Sequence, residues 1–169
     1  MKKIVSLAAG LALVFGASNA AQAQTCTTAG CTVTHTVSAT APTILRLTLS
    51  STNTTLAAPA DADFDNAAGV TQGASFNVLR RSNVNASVSI HTAAANWSGP
   101  GATTKAVGDL RYSTTGAAPW TAITGAPVNL IASGKGQSDE DITWNTLWNL
   151  ATDEPGAYSL VTTFTLTTP

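Results

Sequence analysis

Residues 153–169 read "DEPGAYSLVTTFTLTTP". Beyond Pro155–Gly156, Tyr158, Leu160, Thr162, Phe164 and Leu166 fall on one face. Ser159, Val161, Thr163 and Thr165 fall on the other. That period of two is the signature of a strand with one buried face. Pro-Gly suits the two central positions of a type II turn feeding it. This is the clearest strand in the chain, and it sets the expectation for the rest.

The same alternation recurs upstream, broken by Gly, Pro, Asn and Asp. "TVTHTVSA" (32–39) puts Val33, His35, Val37 and Ala39 together. "TILRLTLS" (43–50) groups Leu45, Leu47 and Leu49. "SFNVLRR" (75–81) and "VNASVSIHT" (84–92) read as a strand pair turning near Ser82–Asn83. "DLRYST", "WTAI" and "VNLIAS" are short strands, and "GKGQSDED" reads as a charged loop. In "ITWNTLWNL", Ile142, Trp144, Thr146, Trp148 and Leu150 share a face. A helix would also bring Trp144 and Trp148 together, but Thr and Asn are poor helix formers and no cap frames the run. About eight to ten short strands with turns between them predict an all-β fold, a two-sheet sandwich or a barrel.

Composition agrees. Only 10% of residues are charged, against about 25% in typical domains. The polar surface falls instead to residues such as the 28 threonines, which are β-branched and suit a pleated face. No basic patch is present to neutralise phosphates, so nucleic acid is not an expected partner.

The N-terminal residues suggest the compartment. Lys2 and Lys3 precede the apolar run "IVSLAAGLALVFGA" (4–17), and Ala21 and Ala23 follow with the spacing a signal peptidase reads. The expectation is a cleaved leader, 1–23, on an exported bacterial protein. The apolar run is too short for a permanent span, and the later sequence has none that is longer. Cys26 is not preceded by a lipobox. In an oxidising compartment Cys26 and Cys31 are expected to close a small disulfide loop. The predicted organisation is then an extended segment, 24–41, followed by a sandwich domain, 42–169.

"GAYSLVTTF" resembles a tyrosine corner, with Gly156 two residues before Tyr158 and Asp153 one place further away than in the usual pattern. Leu160 stands where immunoglobulin domains carry a Cys. Trp144, Trp148, Phe164 and Leu166 are the expected aromatic and apolar core around it. More broadly, the leader, the early Cys pair, "CTVTHTVSAT", the low charge and the final G-x-Y-x-x-x-x-x-F-x-L run are similar to those of small secreted bacterial immunoglobulin-like surface and fimbrial proteins. That resemblance implies an immunoglobulin-like Greek-key β-sandwich in a protein of a filament, coat or extracellular matrix, often completed by a strand from a neighbour. The donor it suggests is the shallow strand carrying Val33, His35, Val37 and Ala39.

Chemistry is sparse. Asp61, Asp63 and Asp65 alternate as in a calcium loop. Asn66 stands where Gly belongs and Gln72 where a bidentate Glu belongs, so a solvated acidic loop is the simpler reading and no metal is expected. His35 and His91 lie in predicted strands. No G-x-S-x-G elbow frames a serine. "GPGATTK", ending at Lys105, lacks the spacing of a phosphate loop. The expectation is a protein that is not an enzyme and needs no cofactor. Trp97 and Trp120, at loops or strand ends, are candidate glycan contacts, with capping of the sandwich ends as the plainer role. The leading expectation is a structural or interaction protein of the cell surface or periplasm, partnered by itself or other surface proteins. A carbohydrate-binding or adhesin module is the alternative.

Overall fold

The computed structural model describes residues 27–100 and 105–169. The expected leader and Cys26 lie outside them, and with Cys26 the expected Cys26–Cys31 pairing. Residues 27–40 and residues 41–169 belong to separate units. In the first, the predicted strand 32–39 is absent: these residues are exposed and hold no regular secondary structure, and Val37 is 83% exposed. Among the described residues no helix is long and apolar enough to cross a membrane.

The second unit is all-β. Its strands are β1 (Leu45–Leu49), β2 (Val70–His91), β3 (Leu110–Ser113), β4 (Thr121–Ala122), β5 (Val128–Thr146) and β6 (Thr163–Thr167). They form one antiparallel sheet in the order β1-β2-β5-β3-β4, with β6 also on β2. β2 and β5 are the long spine. β1 pairs with Val78–Ser82 and β6 with Ser87–His91, both on the β2 edge away from β5.

Six strands replace the eight to ten expected because 32–39 forms none and two predicted breaks are not breaks. The run 75–92 does not turn at Ser82–Asn83. Asn83 instead holds the chain before β1, donating from Nδ2 to the Pro42 carbonyl and accepting the Ile44 amide on Oδ1. The predicted charged loop 134–141 lies inside β5. There Gly136, at φ +91, pairs with Ser82 where the register begins to slip. The glycine marks a bulge, not a turn.

Those irregularities, between Ser82 and Ser89, bend the sheet. Phe164 is the register partner of Ile90, fourteen residues beyond Phe76 on β2. A straight strand would separate those positions by roughly 46 Å. Yet the rings of Phe164 and Phe76 lie 5.7 Å apart, edge to face. β2 must therefore turn back over itself, so that the two halves of the sheet face each other across a shared core of Phe76, Val78, Val88, Ile90, Leu110, Ile142 and Trp144.

Alternation within strands follows the sequence in part: Asn145 and Ser113, on the opposite faces, are buried as well, and Leu45 is exposed. Ile142, Trp144 and Thr146 are buried, as are Leu110 and Tyr112. In the tail Tyr158, Leu160, Phe164 and Leu166 are half-buried while Val161 is 77% exposed. The paired strand there is shorter than expected, spanning Thr163–Thr167 only. At the preceding turn Gly156 has φ +152, far from the type II value, and packs so closely against Pro100 that a Cβ would collide with Pro100 Cγ.

Candidate functional site

Between the sheet halves lies a cleft of about 650 Å³. Core side chains reach it: Phe76 from β2, Leu110 from β3, Trp144 from β5 and Phe164 from β6. Phe76 and Trp144 are 5.9 Å apart, so three rings join β6, β2 and β5 along its wall. Two stretches outside any named strand complete the lining, residues 51–59 and 156–162. The first is tied back where the Ala57 amide donates to Gln72 Oε1. The second exchanges backbone hydrogen bonds between Ser159 and Ser98, and Thr92 Oγ1 donates to the Val161 carbonyl. An apolar cleft edged by backbone outside the ladder can accept an extended chain, which would add hydrogen bonds and fill the groove with alternate side chains.

Beside it stands a cluster that sequence reasoning passed over. Lys105 is 1% exposed. Its Nζ donates to Asp153 Oδ2 and to the Leu147 carbonyl, each at 2.7 Å, and Asp109 Oδ2 lies 3.8 Å away. The Trp148 ring centroid is 4.0 Å from Nζ, and those of Trp97 and Tyr158 are each 5.8 Å from it. Ring faces carry negative potential, so the cage attracts the cation while excluding water. Burial holds the Asp109 carboxyl above its usual range, against the opposing pull of Lys105; the charge of Asp153 adds to the rise. Asp153 Oδ2 also accepts the Asn149 amide at 2.9 Å.

Trp97 is 5% exposed and its indole N–H has no partner, so its ring is core and cage, not an open platform for a sugar. Trp120 is half-buried just before β4. Trp148 lies past the end of β5, half-buried against Phe64 and Tyr158, with Nε1 donating to Thr146 Oγ1. Leu150, expected on the same inner face, is 65% exposed. The Tyr158 hydroxyl donates to the Glu154 carbonyl at 2.8 Å. Leu166 pairs with Val88. Val33, His35, Val37 and Ala39 are all exposed.

The alternating aspartates do not converge. Asp63 Oδ2 accepts the Ala60 amide, Asp65 Oδ1 accepts the Leu150 amide, and Asp61 is exposed. Among the described residues no three His, Cys, Asp or Glu side chains come together as metal ligands would.

Lys105 offered little signal in the sequence beyond the scarcity of lysine, for only Lys105 and Lys135 occur after Lys3. Its partners at 147 and 153 are more than forty residues away. No family model, curated protein or solved structure matches the chain.

Proposed function

We propose that this chain is an exported structural protein of the bacterial exterior, an immunoglobulin-like sandwich one strand short, which assembles with copies of itself by β-strand addition. In this reading the cleft of one copy receives residues 25–41 of the next. The observation that carries it is the cleft itself: core rings line it, and residues 51–59 and 156–162 border it without belonging to a strand. The proposed occupant is an exposed segment, described from residue 27 onward, whose Val33, Val37 and Ala39 are small enough for a shallow groove. Main-chain hydrogen bonds would supply the affinity and the alternate side chains the register. A disulfide between Cys26 and Cys31 would stiffen the base of the arm.

The test removes residues 24–41 from the mature protein and returns them as a synthetic peptide. The expected result is a full-length protein that forms oligomers or filaments and a shortened protein that runs as a monomer and binds the peptide. Assembly of the shortened protein to the same extent as the full-length one would overturn the reading.

A further inference from the structure

The cage around Lys105 supports chemistry independent of assembly. We propose that Lys105 and Asp153 condense within the folded chain to an intramolecular isopeptide bond, with Asp109 as the proton shuttle.

The reacting groups are already in contact, with Nζ 2.7 Å from Oδ2, and neither side chain is open to water: 0% of the lysine side chain and 3% of the aspartate side chain are exposed. Burying two full charges is costly. Passing a proton from the ammonium, by way of Asp109, to Asp153 Oδ1 removes both charges and leaves a neutral amine, the form with a lone pair to attack. The Leu147 carbonyl, accepting from Nζ at 2.7 Å, keeps the amine in place. Such fixed contact replaces a bimolecular encounter.

The nitrogen lone pair adds to Asp153 Cγ. Oδ2 takes up the developing negative charge, where the Asn149 amide donates at 2.9 Å as a backbone oxyanion donor. Asp109, 3.8 Å from Nζ, then takes a second proton from the attacking nitrogen and delivers it to Oδ1, which now carries two. Burial makes Asp109 hold a proton more readily than an ordinary carboxyl group, as a shuttle between the two must. The Cγ–Oδ1 bond then breaks and water leaves. Of the three ammonium hydrogens, one stays on the amide nitrogen and two depart on that water, so no oxidant or activating group is needed. Asp109 is 32% exposed and lines an open cavity of about 310 Å³ with Leu147 and Asn149, which gives the water an exit. The rings of Trp97, Trp148 and Tyr158 close the inner side and shield the amide from hydrolysis.

The product would tie the loop before β3 covalently to the segment leading into the tail. The test is intact mass spectrometry of the purified folded protein after denaturation and thiol reduction, followed by tryptic mapping. The expected mass is short of the sequence mass by one water, with a branched peptide joining Lys105 to Asp153 and no cleavage after Lys105. Lys105→Arg, which keeps the charge but lacks a nucleophilic amine, is expected at full mass. Asp109→Asn is also expected at full mass with Lys105 and Asp153 intact. Wild-type protein at full mass would overturn the bond and leave an ion pair. A water-deficient Asp109→Asn protein would overturn the shuttle role.

Discussion

Arg80 donates from Nη1 to the Ala132 carbonyl at 2.6 Å, and from the same nitrogen to the Ala86 carbonyl, also at 2.6 Å. Six residues of straight strand would carry Ala86 roughly 20 Å from Arg80, beyond the reach of an arginine. The contact exists because β2 bends in between, and the guanidinium pins β2 and β5 at the place where their register slips. A buried cation thus holds the bend that makes the cleft.

Arg80→Met should therefore do more than remove a charge. It leaves two carbonyls at the bend without their donor, at about 1–3 kcal/mol for each buried group left unsatisfied. Urea denaturation should show a loss of about 3 kcal/mol. A variant as stable as wild type would mean that the bulges bend the sheet without help from the arginine.

Phe164 closes the sheet from the other side. Its ring meets Phe76 edge to face, and its backbone pairs with Ile90. Phe164→Ala removes that pair and part of the cleft wall. Because the side chain is only half-buried, the expected cost lies near the low end of the Phe→Ala range, about 3 kcal/mol. The same variant should weaken binding of the 24–41 peptide in a titration. Unchanged affinity in a folded variant would place the peptide elsewhere.

Two glycines separate backbone strain from steric contact. Gly69 has φ +68, and a Cβ there would lie 2.6 Å from both Asn145 Oδ1 and the Thr146 carbonyl. Asn145 is fully buried and donates to the Ala68 carbonyl while accepting from Arg111, so it has no freedom to retreat. Gly136 has φ +91 with open space around its missing side chain. Gly136→Ala should cost only the left-handed backbone penalty, about 1–2 kcal/mol. Gly69→Ala should cost clearly more. Equal melting temperatures for the two variants would rule out the clash with Asn145.

What the sequence conveyed was the local alternation. Ile142 and Trp144 inside, Phe164 and Leu166 inward with Val161 outward, and Leu110 with Tyr112 could each be read from a period of two. What it concealed depends on distant partners. Ser82–Asn83 has turn composition, but the chain before β1 claims the Asn83 side-chain amide, and the residues run on as part of β2. Gly134 and Gly136 look like a loop until Arg80 and β2 are placed opposite them. The cage was the least legible part, because Trp97, Lys105, Asp109, Trp148, Asp153 and Tyr158 come from two stretches that only the folded sheet brings together.

The chain's two tyrosines give the fold an alkaline limit. Burial raises the phenol of Tyr112, which is 5% exposed. Burial and then the charge of Asp153 raise that of Tyr158. In the unfolded chain both titrate near the ordinary value of about 10. The folded state holds its phenolic protons to higher pH, so this contribution is complete below about pH 10 and is lost as pH rises through the folded values. Wild-type stability should fall between about pH 8 and about pH 11, and Tyr112→Phe, which has no proton to lose at that site, should fall less over the same interval. Denaturation curves at the two pH values decide it: equal losses for the two proteins would show that Tyr112 ionises as freely in the fold as outside it.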